Sequence, residues 1–170
     1  MSNLIEKTKS AYEYPLLIKQ LFLAPLSNKP NQQIVYRDQL ILTYKDWKER
    51  VHRLANALTS IGVTQGSTVA VMDWDSHRYL EAYYAVPMMG AVLHTINVRL
   101  SPEQMVYTID HAEDDVIICH IDFLPQLEAI KGRILEGRKF ILIDEGGEVF
   151  KHHFQFEGEY EKMLAEASPE

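Results

Sequence analysis

Residues 68–84 read TVAVMDWDSHRYLEAYY, and the first five of them decide the fold. Thr68-Val69-Ala70-Val71-Met72 is a continuous apolar run with none of the polar alternation of a half-solvated strand. Such a run fits a strand covered on both faces, as in a parallel sheet flanked by helices. Asp73-Trp74-Asp75-Ser76 follows, and Asp75 and Ser76 are both preferred helix caps. The spacing predicts a helix from about Ser76 to Met89, with Pro87 bending or ending its last turn.

The same unit repeats on the C-terminal side. GAVLHTINV gives a strand at about 91–95. Ser101-Pro102-Glu103-Gln104 combines an N-cap, a proline in the first turn and a capping-box glutamine, opening a helix that runs to about Ala112. DVIICHI supplies a second buried strand at 116–120. FLPQLEAIKGRIL is expected to be partly helical and broken near Gly132. KFILID (139–144) is a further strand, Gly146-Gly147 a turn, and EYEKMLAEA (159–167) a short helix.

On the N-terminal side, residues 1–14 are polar and expected to form a flexible segment. PLLIKQLFLAPL (15–26) reads as a short helix stopping near Pro25. Two short strands, 33–37 and 40–43, join at Asp38-Gln39. Thr43 then caps a long helix, with Asp46 in the capping-box position. Trp47, Val51, Leu54, Leu58 and Ile61 form one apolar stripe, and Gly62 ends it. Strands alternating with helices predict an α/β fold: a mostly parallel sheet with helices on both faces, in one unit spanning 15–170. Ligands of such sheets bind outside the carboxyl ends of the strands.

Composition narrows the partners. The chain has 170 residues and a net charge of −7, which argues against nucleic acid or an anionic membrane as the main partner. Cys119 is the one cysteine, so no internal disulfide forms, in keeping with a reducing, cytoplasmic setting. No apolar run reaches the length of a transmembrane helix, and the N-terminus lacks the apolar core of a signal peptide.

Each candidate site has a plain structural reading. Asp73 and Asp75, one residue apart at a strand end, resemble the nucleophile and acid/base pair of an aspartate-based phosphatase. That pattern needs Thr or Val at position 77, where this chain has His. Helix capping by Asp75 or Ser76 accounts for the stretch better. His111, Glu113, Asp114, Asp115, His120 and Asp122 fall within twelve residues, but match no metal-binding spacing and are expected to be solvated loop charge. His152 and His153 are expected at the surface. Cys119 ends an apolar run and reads as a core residue rather than a nucleophile. Tyr79, Tyr83, Tyr84, Met88 and Met89 read as a helix packing face. The chain contains no GxGxxG, GxxxxGK[ST], CxxC or GxSxG motif, so no catalytic, cofactor-binding or metal-binding residue is assigned.

LTYKDWKERVHRLANALTSIGVTQGSTVAV, followed by HRYLEAYYAVPMMGAVLHTINVRLSPEQMVYTIDHAEDDVII, resembles the N-terminal region of the adenylate-forming (AMP-binding) superfamily. AVPMMGAVLHTINVRLSP is similar to its fatty-acid CoA ligase branch, and the resemblance covers about residues 34–144. It implies that the strand ending at Asp73-Trp74-Asp75 is framework. It also implies a longer enzyme that uses ATP, Mg²⁺ and coenzyme A to activate a small carboxylic acid. That family's phosphate loop, of the form TSGTTGxPKG, does not occur in the 170 residues. These residues are therefore expected to be an N-terminal subdomain shortened before that loop, to hold no cofactor and to be inactive alone, with a homodimer possible. A stand-alone flavodoxin-like binding module, or a phosphatase using Asp73 and Asp75, are the alternatives.

Overall fold

A computed structural model describes residues 8–10, 12, 17–146 and 151–170. The expected helix start at Pro15, Gly147 of the turn and much of the 1–14 segment lie outside the described residues. Helix α1 spans Ile18–Asn28, β1 Gln33–Tyr36, β2 Leu40–Thr43, α2 Tyr44–Ser60 and β3 Thr68–Met72. Helix α3 (His77–Met88), β4 (Val92–Thr95), α4 (Pro102–His111) and β5 (Val116–His120) follow. A single 3₁₀ turn, Ile121–Phe123, leads into α5 (Leu124–Ile130). The last elements are β6 (Lys139–Ile143), β7 (Gly158–Glu159) and α6 (Tyr160–Glu166).

Strands β3 to β7 form one sheet, parallel as expected, in the order β4-β3-β5-β6-β7. The two apolar strands lie inside it: every residue of β3 and of β5 is buried. Alternate residues feed two cores. Val69, Val71, Val116, Ile118, Ile141 and Ile143 pack with α2, α3 and α6 on one face. Ala70, Met72, Ile117 and Cys119 pack with Met105 and Ile109 of α4 and Leu124, Leu127 and Ile130 of α5 on the other. A strand serving two apolar layers can carry no polar alternation, which is why TVAVM and VIICH read as they do. β1 and β2 stand apart as an antiparallel ribbon, with Val35 opposite Ile41.

Helix ends follow local chemistry. Thr43 with Asp46, and Ser101 with Gln104, each form the expected reciprocal capping box. Gly62 (φ 93°) ends α2, with Val63 N–H donating to Leu58 O at 3.0 Å and Gly62 N–H to Thr59 O at 2.9 Å. Gly90 (φ 84°) ends α3 through the same pair of bonds, Ala91 to Val86 and Gly90 to Pro87. Pro87 therefore lies inside α3, and Gly90 stops it. Pro25 likewise lies inside α1, three residues before its end. Ile61, expected within the buried stripe of α2, is only half-buried, because the helix has already ended beneath it.

Candidate functional site at the carboxyl edge of the sheet

The chain enters the sheet at β3, steps out to β4, then returns to β5 on the other side of β3. The carboxyl ends of β3 and β5 flank this change of direction, where open α/β sheets place their ligands. The residues that gather there are Asp73, Trp74 and Ser76 after β3, His120 and Asp122 at and after β5, and Glu145 after β6.

Asp73 is buried, and its carboxylate is enclosed by its own neighbours. One oxygen accepts the Trp74 N–H at 2.7 Å and the other accepts the Ser76 hydroxyl. Ser76 Oγ in turn accepts the N–H groups of Arg78 at 3.1 Å and Tyr79 at 3.3 Å. Ser76 is thus the cap of α3, while Asp75 is exposed. Burial pushes the Asp73 carboxyl above the usual range, against the hydrogen bond from Ser76 and the charge of His120. A phosphatase nucleophile must be ionised and reachable; Asp73 is buried and occupied. Trp74 Nε1 donates to Asp122 at 2.8 Å, which ties the β3 and β5 loops together.

The HAEDDVIICHID stretch departs from the expectation of solvated charge at two positions. Asp114 is buried and lies 2.8 Å from His94 Nδ1 on β4. His120 is buried, accepts the Asp122 N–H on Nδ1 at 3.1 Å and has Nε2 3.4 Å from Glu145. His153 is exposed and His152 half-buried. Cys119 is fully buried, and burial pushes its thiol up, as a core residue requires. Of the α3 aromatics, Tyr79 is buried and Tyr84 packs on Phe22 and Trp47, whereas Tyr83 is half-exposed against Tyr79. Burial lifts the Tyr79 hydroxyl to about 12.

The main electrostatic feature is one that pattern reading missed. Arg50 on α2 donates through Nε to Glu81 at 2.6 Å and through Nη1 to Glu161 at 2.8 Å. Arg78 on α3 donates through Nε to Glu161 at 2.7 Å and through Nη1 to Glu145 at 2.6 Å. The Tyr160 hydroxyl closes the inner end on Glu81 at 2.7 Å. The resulting chain of charge-assisted bonds joins α2, α3 and α6 to the end of β6. A cavity of about 290 Å³ opens beside it, bounded by Tyr36, Gln39 and Leu40 of the ribbon. The signal was available: Arg50 lies on the Trp47–Val51–Leu54 stripe of α2, and Glu81 lies beside Ala82 on the buried face of α3.

Burial works to raise the Glu161 carboxyl, but His77, Arg50 and Arg78 outweigh it and hold it well below the usual range. A depressed folded value means that the stabilisation is complete above the unfolded value, about 4.3 for Glu. It is lost as pH falls through the folded value. Glu161→Gln is therefore expected to lower stability at neutral pH and to flatten the fall of stability below about pH 4.3. Urea unfolding at several pH values measures both; parallel curves for the two proteins would refute the coupling.

A family model described as AMP-binding enzyme matches residues 24–170. The chain belongs to the AMP-binding enzyme family. Among its curated relatives, the long-chain-fatty-acid–CoA ligase of Thermus thermophilus is 45% identical over 103 residues, covering 61% of this chain and 19% of that protein. The medium-chain-fatty-acid–CoA ligase of Ectopseudomonas oleovorans is 42% identical over 105 residues, 60% of this chain and 19% of its own length. This AMP-binding family chain thus spans about a fifth of the length of these relatives. Its fold matches the crystal structure of an anthranilate CoA ligase bound to anthranoyl-AMP, with a TM-score of 0.76 and 21% identity. That match covers 89% of this chain and 28% of the other.

At the carboxyl edge Asp73 is held by Ser76 and Trp74 and Glu145 by Arg78, so neither carboxylate is free to take Mg²⁺. Among the described residues, no group of three or more His, Cys, Asp or Glu side chains is arranged to hold a metal ion. No helix of the described residues is long and apolar enough to cross a membrane.

Proposed function

We propose that this chain is the N-terminal framework subdomain of a cytoplasmic, AMP-forming fatty-acid CoA ligase. The observation that carries the reading is the 45% identity to a fatty-acid CoA ligase, within a family match over 24–170. In the parent reaction a fatty-acid carboxylate attacks the α-phosphate of ATP, releasing pyrophosphate and giving an acyl-adenylate. The thiol of coenzyme A then attacks the acyl carbon and releases AMP. Adenylyl transfer depends on positioned charge and donors, and Arg50 and Arg78 are paired with Glu81, Glu145 and Glu161. Its part is to present a rigid sheet edge.

The isolated 170 residues are expected to release no pyrophosphate from Mg·ATP with decanoate and coenzyme A. None of the three should raise the unfolding temperature, whereas a ligand at 100 times its Kd stabilises by about 2.7 kcal/mol. Acyl-adenylate formed by this chain alone would overturn the assignment of the chemistry elsewhere. The half-exposed or exposed Leu21, Val35 and Ile41 leave apolar surface open to a homodimer. Light scattering at high protein concentration checks this, and a clean monomer removes the dimer.

A further inference from the structure

Glu161 is the second residue of α6, yet almost everything that holds its side chain comes from elsewhere. Its oxygens accept Arg50 Nη1 at 2.8 Å, Arg50 Nη2 at 3.0 Å and Arg78 Nε at 2.7 Å. His77 Nε2 lies 3.6 Å away. Two guanidinium groups and an imidazole, from α2 and α3, thus converge on one carboxylate. Arg50 meets both carboxylate oxygens of Glu161 through its two terminal nitrogens, a fork-on-fork geometry that suits a planar carboxylate.

The donors do not depend on Glu161 for their placement. Arg50 is anchored by Glu81, which takes Nε at 2.6 Å and Nη2 at 3.3 Å and is itself fully buried. Arg78 is anchored by Glu145 at 2.6 Å. With Glu161 removed, Arg50 keeps Glu81 and Arg78 keeps Glu145, while Arg50 Nη1 and Arg78 Nε lose their acceptor. The cavity of about 290 Å³ adjoins these donors, and the Glu161 side chain is 36% exposed, so the position is reachable from solvent.

We propose that Arg50, His77 and Arg78 form a binding site for a small carboxylate, which this chain fills with its own Glu161. α6 is then an internal ligand: lifting it presents a preformed cradle to a free carboxylic acid. The site is separate from the carboxylate activation proposed for the parent enzyme, and its test needs no catalytic activity.

Glu161→Ala empties the cradle and leaves room for a two- or three-carbon acid. Acetate is expected to raise the unfolding temperature of this variant by about 3 °C at several times its Kd. Sodium chloride at the same ionic strength should not, nor should acetamide, which has the same shape without the charge. Wild type, with the cradle filled, should respond to acetate and chloride alike. If Glu161→Ala is unfolded in chloride, the readout becomes the acetate-dependent return of its folded circular-dichroism signal. An equal response of Glu161→Ala to acetate, chloride and acetamide, in either readout, would overturn the proposal.

Discussion

Replacing Arg50 by methionine is expected to remove about 3–5 kcal/mol of folding stability, because it strands a buried charge. Glu81 has no exposed side-chain surface, and its oxygens take Arg50 Nε at 2.6 Å and the Tyr160 hydroxyl at 2.7 Å. Without the guanidinium, only the tyrosine remains to compensate the carboxylate. Glu161 loses its bidentate partner in the same step, so α6 is loosened as well. For a chain of this size each kcal/mol moves the unfolding temperature by about 2–4 °C, so a fall of roughly 10 °C is expected. Adding Glu81→Gln should restore part of it, since the amide oxygen still accepts from Tyr160 while no charge is buried. A loss below about 1 kcal/mol would place Arg50 among ordinary surface ion pairs and refute the account.

Trp47→Ala is the second large effect, at about 3–5 kcal/mol for deletion of a buried indole. Trp47 meets Phe22 with ring centroids 4.9 Å apart and Tyr84 at 4.7 Å with perpendicular rings. Phe22 is the buried residue of α1, so Trp47 is where α1 meets the body of the protein. The variant should therefore lose stability globally and lose hydrogen-exchange protection selectively over residues 18–28. Phe22→Ala should reproduce the local loss with a smaller global one. Unchanged protection of α1 in Trp47→Ala would mean that α1 is held by something else.

The sheet was legible because β3 and β5 have nowhere to put a polar residue, and the helix starts because Thr43–Asp46 and Ser101–Gln104 are chemically complete caps. β7 was not legible. It has two residues, Gly158 and Glu159, which pair with Ile141 and Leu142 immediately before α6. No local pattern marks so short an edge strand. The ion chain was half legible. Arg50 and Glu81 interrupt buried faces, but their further partners, Glu161 for Arg50 and Tyr160 for Glu81, lie far along the chain, beyond the range of any periodicity. Asp114 and His120 were misread for the same reason. Their partners, His94 and Glu145, belong to other strands or loops, so their burial is a property of the assembled sheet. The reading of Asp73-Trp74-Asp75-Ser76 as a helix cap held because capping is local.

The position of β3 between β4 and β5 has a further consequence, for folding rather than for the folded state. The β1–β2 ribbon joins neighbouring residues and can close in microseconds. β3 has no such partner. It pairs with β4 and β5, both later in the chain and reached through whole helices, and parallel pairing of that kind is slow. During synthesis TVAVM emerges before either neighbour exists. It is then an uncharged, β-prone window without proline, the composition that self-associates when left open. The stretch that organises the finished sheet is an aggregation hazard until β4 and β5 arrive to cover it.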